Sequence, residues 1–427
     1  MLLLEPPEIF GDALDYQAQK GRGMFMLKVL GEMELQNLEC VINPDYILER
    51  RVASESGKTR ITSQINTTIS SQEITDSAWD IFVCAHEGAH YTQSSGWAKI
   101  KSTIGWEQKR IVICKKDQIL AGVQLLSHST PFFGKIQYSI KGPLITNGNV
   151  RLDEKLIELI CNEGLQNGSR IMVIQPPDNS SNLVDLLQNK GFQTSRLVPE
   201  HSATLTINLE TSLDQIMAGM KRQTRQNVRR GQRKGIQILE GKYEELKIFY
   251  QLHESTSKRQ GFVPYPWKYI HTMWQVFQPQ NHLAVLLAQC YGEIISALLL
   301  ICFGKTVFAY LLGWSGLYKE IRPNDTLFWG AIQWAQTHNY KVFNFGGINP
   351  DGAREALLGK SLPENIRNSP DFLKYGFGGK VVFSPPAYDY LPNPIFNLIY
   401  RQLMINIGGY NPRSKLFRVL RRILLRD

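Results

Sequence analysis

Cysteine is scarce and scattered: Cys40, Cys84, Cys114, Cys161, Cys290 and Cys302 stand far apart, and none forms a Cys-x-x-Cys pair. Most lie in or beside apolar runs, which points to buried reduced thiols rather than a disulfide framework or a zinc site. Long apolar runs are missing too. No stretch approaches the ~18 residues that a spanning helix needs. The N-terminus has no basic region followed by an apolar segment and a small-residue cleavage site, so a cytoplasmic protein is expected. A Walker loop, a dinucleotide fingerprint and a Gly-x-Ser-x-Gly elbow are all absent, which removes the usual sequence signs of nucleotide hydrolysis, NAD chemistry and serine hydrolysis. His86-Glu87-Gly88-Ala89-His90 has zinc-protease spacing. Gly88 inside it and Tyr91-Thr92-Gln93-Ser94-Ser95-Gly96 behind it leave no stable helix to present both histidines to a metal. The segment reads as a loop, and no metal is expected.

Acidic residues are missing from one place where they would be needed. Residues 221–234 hold seven Lys and Arg and no Asp or Glu, and residues 411–427 hold six against Asp427 alone. These two segments contribute +7 and +5 to a net charge of +10, so the rest of the chain is slightly acidic. A basic excess confined to two segments marks sites rather than general solubility.

The first segment continues a helix predicted to start near Leu213. Met217, Met220, Thr224 and Val228 share one face, while Lys221, Arg225, Arg229 and Arg233 recur every fourth residue on another. Like charges at that spacing repel by a few tenths of a kcal/mol per pair, roughly. The stripe therefore calls for an anion, and a phosphate-facing helix is the expectation; nucleic acid and a diphosphate both satisfy it. The second segment predicts a helix over residues 415–426, with Leu416, Phe417, Val419, Leu420, Ile423 and Leu424 among arginines, preceded by a mostly apolar stretch at 394–407. Such a terminus either docks on its own domain or lies on an anionic membrane surface.

What the chain does contain is its core pattern written twice. Residues 150–176 read as helix, turn and apolar strand, and residues 321–347 repeat this without a gap. Arg151 falls over Arg322, Leu156 over Leu327, and Arg170-Ile171-Met172-Val173 over Lys341-Val342-Phe343-Asn344. Hairpin signals precede each copy, at 111–114 with 119–126 and at 283–288 with 294–301, followed by single strands at 135–140 and 306–312. Strand, turn, strand, strand, helix, strand is a mixed α/β unit, and two copies predict two similar domains packed together. A chain of 427 residues with 43% hydrophobic content has the length and the core for it.

Five motifs in order, from about Trp79 to about Tyr400, resemble the FemABX peptidyltransferases. Trp79-Asp80-Ile81-Phe82-Val83 followed by Gln93-Ser94-Ser95-Gly96-Trp97-Ala98-Lys99-Ile100-Lys101 resembles the family's opening. Tyr138-Ser139-Ile140-Lys141-Gly142-Pro143 is similar to its Tyr-x-x-Arg-Gly-Pro segment. Met220 through Lys234-Gly235-Ile236 resembles its basic helix, and Asn344-Phe345-Gly346-Gly347-Ile348 with Leu373-Lys374-Tyr375-Gly376-Phe377 its closing pair. The chain departs from the pattern at Lys141, where the family has Arg, at Thr146, where it has an acid, and at Leu373, where Phe372 stands one place early. It also lacks a long heptad arm.

The resemblance implies an α/β fold (α+β mixed sheets) of two tandem GNAT-like acyltransferase domains. The expected division is a poorly patterned extension at 1–78, domains at 79–200 and 201–391 with the basic helix at 213–234, and a basic amphipathic terminus at 392–427. It implies an enzyme that moves an amino acid from aminoacyl-tRNA to the stem-peptide amine of a peptidoglycan precursor, lipid-linked or UDP-linked. Aminoacyl-tRNA is then a co-substrate, with no other cofactor. By resemblance Lys374 is catalytic, and Lys101, Arg259, Tyr138 and Lys141 bind the precursor, with Lys101 and Arg259 at its diphosphate. Lys221, Arg225, Arg229 and Arg233 face tRNA phosphates, and residues 392–427 bring the protein to the cytoplasmic face of the membrane. A rival is a GNAT N-acyltransferase using acyl-CoA on an envelope precursor. It needs an (Arg/Gln)-x-x-Gly-x-(Gly/Ala) loop, which neither 142–148 nor 315–322 matches.

Overall fold

The structure, a computed structural model, describes residues 68–69 and 74–408, apart from 87, 116–117, 131–133, 146–149, 179 and 196–200. Thr146, Glu87 and the helix expected at 415–426 lie outside the described residues.

The repeat read from the sequence is built twice. In the first sheet Glu107–Lys115, Gln118–Thr130 and Gly134–Ile140 run antiparallel in sequence order. Helix Val150–Gln166 then carries the chain across to Ser169–Gln175, which pairs parallel to Gly134–Ile140 with Ile136 opposite Ile171. The second sheet repeats the plan with Leu283–Cys290, Glu293–Phe303 and Thr306–Trp314, helix Pro323–Thr337, and Val342–Gly347 parallel to Thr306–Trp314. Leu156 and Leu327, aligned by the repeat, are both fully buried. A parallel pair needs a crossover, and that is why a helix stands at the same place in both units.

Glu293–Phe303 shows why these strands are continuous apolar runs rather than alternating ones. It is covered on both faces, so successive side chains enter different cores. Leu298, Leu300 and Cys302 pack with Leu327 and Ile332 beneath the second sheet. Ala297, Leu299, Ile301 and Phe303 pack with Phe249, Tyr269 and Phe277, and this second cluster also takes Trp79, Trp97, Trp106, Leu126 and Ile140 from the first unit. One apolar core is therefore shared between the two units.

The sheets are stitched at the chain's end. Ala203–Asn208 pairs with Val342–Gly347 on one side and with Lys380–Phe383 on the other, with Phe383 opposite Ala203. A few residues later Tyr388–Tyr390 enters the first sheet between Ser169–Gln175 and Gln193–Thr194, with Tyr388 opposite both Ile174 and Thr194. The C-terminal part of the chain thus supplies a strand to each sheet. Buried Asp389 on the inserted strand pairs with Arg401 of helix Pro394–Gly408.

Helix Tyr243–Gln260 lies directly on Thr306–Trp314, and Gly313 permits the approach. A Cβ there would stand 2.7 Å from the His253 amide nitrogen and 2.8 Å from Leu252 Cβ. The same contact holds Arg259, at the helix end, against Trp314. Gly313→Ala is expected to cost ~1–3 kcal/mol through overpacking, seen as a lower urea midpoint at unchanged slope.

Candidate active site

The two closing motifs meet in one corner. Strand Val342–Gly347 ends in a turn where Gly346 has φ 75° and donates its N–H to Asn344 Oδ1 at 2.8 Å. Asn349 caps helix Pro350–Leu357, accepting from the Asp351 and Gly352 amides at 2.9 and 3.0 Å, and donates its own N–H to Asp371 Oδ2 at 3.0 Å. Asp371, buried, lies 3.5 Å from Lys374 Nζ through its other oxygen. The same ammonium donates to the Gly347 carbonyl. Lys374, on the short helix Asp371–Gly376, is thus oriented by a carboxylate and by the backbone of the neighbouring motif.

A second lysine stands nearby in the chain crossing. Lys141 turns the chain at φ 53° before a cis Gly142-Pro143 bond. Its buried ammonium donates to Asp178 Oδ1 at 2.6 Å and to Ser384 Oγ at 2.8 Å. Ser384 in turn donates its N–H to the Ser202 carbonyl at 3.1 Å, and Ile348 donates to the Ala203 carbonyl at 2.9 Å. Those two bonds hold the residues that follow buried His201. Burial holds its imidazole well below the usual histidine range, and Lys374 and Lys141 push it in the same direction. His201 is therefore a neutral ring that feels both cations. Sequence reading missed His201, Asp178 and Asp371, because each is a single polar residue without periodicity; only the fold gives them neighbours.

Lys101 and Tyr138 occupy an aromatic-walled region of the shared core. Lys101, on helix Ser95–Ser102, has Nζ 4.4 Å from the Trp97 ring centroid and 5.6 Å from that of Tyr269. Tyr138 meets Trp106 edge-on at 4.6 Å. Burial pushes the Tyr138 phenol far above its ordinary value, so it stays protonated. Burial also raises Tyr269, and Tyr310 and Tyr138 add to it, which puts these phenols in one neighbourhood. Gln93 of the opening motif is structural. Its amide donates to Ser139 Oγ and the Ile140 carbonyl at 3.0 and 2.9 Å and accepts from the Gln124 amide at 2.7 Å, bracing the strand that leads to Lys141.

Arg259 stands at the C-terminal end of helix Tyr243–Gln260. Its guanidinium donates to the carbonyls of Ser315 (2.9 Å) and Trp314 and to Thr256 Oγ1 (3.3 Å), and it lies over the Trp314 ring at 5.0 Å. His86 and His90 do not share a helix. Helix Asp76–Cys84 has ended, and their Nδ1 atoms meet the Phe82 carbonyl and the Thr92 hydroxyl at 2.8 and 2.9 Å.

The single helix expected from Leu213 is two. Leu213–Gly219, opened by a Ser212–Gln215 capping box, stops before extended Met220 and Lys221, and Arg222–Arg233 follows. The break lets Lys221 donate its N–H to the Gly376 carbonyl at 2.9 Å, a bond that a continuous helix would forbid. Arg225 turns back to the carbonyls of Ala218 (3.1 Å) and Met220, satisfying the end of the first helix. The second helix buries Thr224, Asn227, Val228 and Gly231 against Pro323–Thr337, where Asn227 donates to buried Asp325 at 2.9 Å. Lys221, Arg222, Arg229 and Arg233 are exposed, and among the described residues no carboxylate forms an ion pair with them. Lys221 also lies 5.9 Å from the exposed Phe372 ring. The basic face thus runs up to the Lys374 corner.

Comparison with known proteins bears directly on this arrangement. Residues 74–185 match the model of the FemAB family, and residues 220–354 match that of the acetyltransferase (GNAT) domain. The first unit is thus similar to the FemAB family and the second to GNAT acetyltransferases. The chain is 25% identical over 230 residues to the lipid II:glycine glycyltransferase of Staphylococcus saprophyticus, covering 51% of this chain and 55% of that protein. The match thus spans about half the length of that relative. It is 23% identical over 288 residues to the UDP-N-acetylmuramoylpentapeptide-lysine N(6)-alanyltransferase of Weissella viridescens, covering 62% of this chain and 82% of that protein. A solved structure of FemX superposes with a TM-score of 0.67 at 17% identity, over 76% of this chain and 98% of that one. That likeness shows the fold, two paired α/β units of the kind that the repeat implied.

His201 makes the fold pH-sensitive, and so does buried His253, whose pKa burial lowers to about 4. The unfolded chain takes up protons below about pH 6.5 that these folded imidazoles exclude, so stability is complete above that pH and falls as the pH drops toward 4. Urea titrations at several pH values should show this slope, and His253→Gln should flatten it. An unchanged slope in that variant would contradict the assignment.

Proposed function

We propose that this protein is an aminoacyltransferase that moves an amino acid from aminoacyl-tRNA to the stem-peptide amine of a peptidoglycan precursor. The observation that carries this reading is the union of two features: an oriented ammonium at Lys374, and a cationic helix face, without carboxylate partners among the described residues, that ends beside it. The names of the relatives agree, since both describe transfer of a small amino acid to such a precursor.

The reaction is aminolysis of an ester. The amine nitrogen attacks the aminoacyl carbonyl carbon, a tetrahedral oxyanion forms, and the ester C–O bond breaks. The amine nitrogen gives up one proton, which passes through water to the tRNA 3′ oxygen as it leaves as a hydroxyl. The ester is already activated, so no covalent enzyme intermediate is required; positioning and charge stabilisation are. Lys374 faces the developing oxyanion. Its links to Asp371 and Gly347 hold it in place beforehand, which is what makes such stabilisation effective. Lys101, Tyr138 and Lys141 line the precursor's side. Arg259 holds the Trp314–Ser315 backbone and offers its remaining N–H groups to the diphosphate. Lys221, Arg229 and Arg233 take tRNA phosphates, while Arg225 serves the helix break.

Among the described residues no helix is long and apolar enough to cross a membrane. Helix Pro394–Gly408 nevertheless exposes Ile395 (71%) and Leu398 (72%) on one face, just ahead of the basic segment 411–427. In this reading that end contacts the cytoplasmic leaflet that holds a lipid-linked acceptor.

Purified protein supplied with mixed aminoacyl-tRNA and either a UDP-linked or a lipid-linked muramyl pentapeptide should extend the peptide by an amino acid, read by mass spectrometry. Acyl transfer from acyl-CoA instead would overturn the reading. Lys374→Ala should lower turnover a hundredfold or more, a loss of ~3–4 kcal/mol of transition-state stabilisation, with the fold intact. Replacing Arg229 and Arg233 with Gln should weaken binding of all tRNAs alike and reduce the slope of log K against log salt by somewhat under one per contact, roughly. A reduced melting temperature at unchanged slope would assign the helix a structural role.

A further inference from the structure

The far end of the basic helix meets two other segments. Arg230 Nη1 donates to the Glu320 carbonyl at 3.0 Å, and Cys290 Sγ lies 3.6 Å from the Lys234 carbonyl. These contacts bring a hairpin tip and the loop before helix Pro323–Thr337 onto the helix end. From the tip and the loop, the rings of Tyr291 and Tyr318 meet at a tilt of 47° with centroids 5.8 Å apart. Tyr291 is 69% exposed, so its ring contributes little to the core.

Both tyrosines sit in the left-handed region, at φ 51° and 54°. Tyr291 and Gly292 form a two-residue loop closed by the Cys290–Glu293 pair, and both have positive φ. Asn or Asp is the favoured residue at the first position of such a loop, and a bulky aromatic is strained there. Strain of this kind, at an exposed ring aimed at a second strained tyrosine, points to use rather than to folding.

We propose that Tyr291 and Tyr318 form a stacking site for a base of the RNA substrate, an inference that rests on the aminoacyl-tRNA reading. Aromatic faces beside a cationic track are what unpaired or terminal bases bind, since every base has a π-face. The spacing fits the substrate. Helix Arg222–Arg233 has twelve residues, and at ~1.5 Å per residue it separates this site from the Lys374 corner by ~18 Å. At ~3.4 Å per stacked nucleotide that is about five nucleotides from the reactive ester. This is where the unpaired 3′ tail of a tRNA joins its paired acceptor stem. Arg229 and Arg233, exposed between the two ends, hold the phosphates of the intervening strand.

Fluorescence anisotropy with a labelled acceptor-stem RNA hairpin bearing an unpaired 3′ tail tests this. Tyr291→Asn should keep or raise the melting temperature, because Asn suits the turn, yet weaken RNA binding about tenfold without changing the salt slope. Tyr291→Phe should bind as the wild type does. Wild-type affinity in Tyr291→Asn would overturn the stacking site and leave the patch to a protein partner. Equal weakening in Tyr291→Phe would also overturn it, by implicating the hydroxyl. The Arg229→Gln, Arg233→Gln double variant separates the two levels. If it alone weakens binding, only the stacking site fails; if it too binds normally, the tRNA reading fails.

Discussion

Everything at the candidate site depends on the way the chain end is shared between two sheets. Lys380–Phe383 is hydrogen-bonded into the second sheet and Tyr388–Tyr390 into the first, so the short link between them cannot move independently of either. Ser384 lies on that link and receives the Lys141 ammonium, while its backbone holds the segment carrying His201. Lys141 belongs to the first unit and Lys374 to the second. The cross-strand bonds, together with a core drawn from both units, turn two residues 233 positions apart into one site.

The electrostatics of that site follow from burial. Two ammonium groups in a poorly solvated region are tolerated because each has a carboxylate, Asp178 for Lys141 and Asp371 for Lys374. Burial first, and then the two ammonium charges, keep the His201 imidazole neutral. The basic helix obeys a different rule. Its charges are solvated, and their mutual repulsion is modest while water surrounds them. An incoming polyanion would gain from the whole row at once. Buried lysines thus serve local positioning, and exposed arginines serve capture of an extended strand.

Much of the fold was legible in the sequence because hydrophobic periodicity and crossover length are local properties. The aligned pairs Leu156 and Leu327, and Ile171 and Val342, reach equivalent places in two sheets because each short segment already encodes strand or helix. The motifs were legible too, but their roles were only partly so. Gln93 of the opening motif is engaged by backbone groups and braces a strand. Arg225, one of four residues in an even stripe, faces backward because the helix breaks at Met220–Lys221. That break is invisible to periodicity, and its local mark is Gly219, the last residue of the first helix. Its cause is a backbone bond to Gly376, more than 150 residues away.

By itself the sequence determined the duplicated unit, the order of its elements and the confinement of positive charge to two segments, because these depend on residue type and spacing. Tertiary structure alone decided which of those charges stand free and which are held, that a histidine without any motif is buried within the influence of two lysines, and that the last strand completes the first sheet. Those outcomes rest on hydrogen bonds and burial between distant segments, and desolvation acts on a group only once its neighbours have been assembled around it.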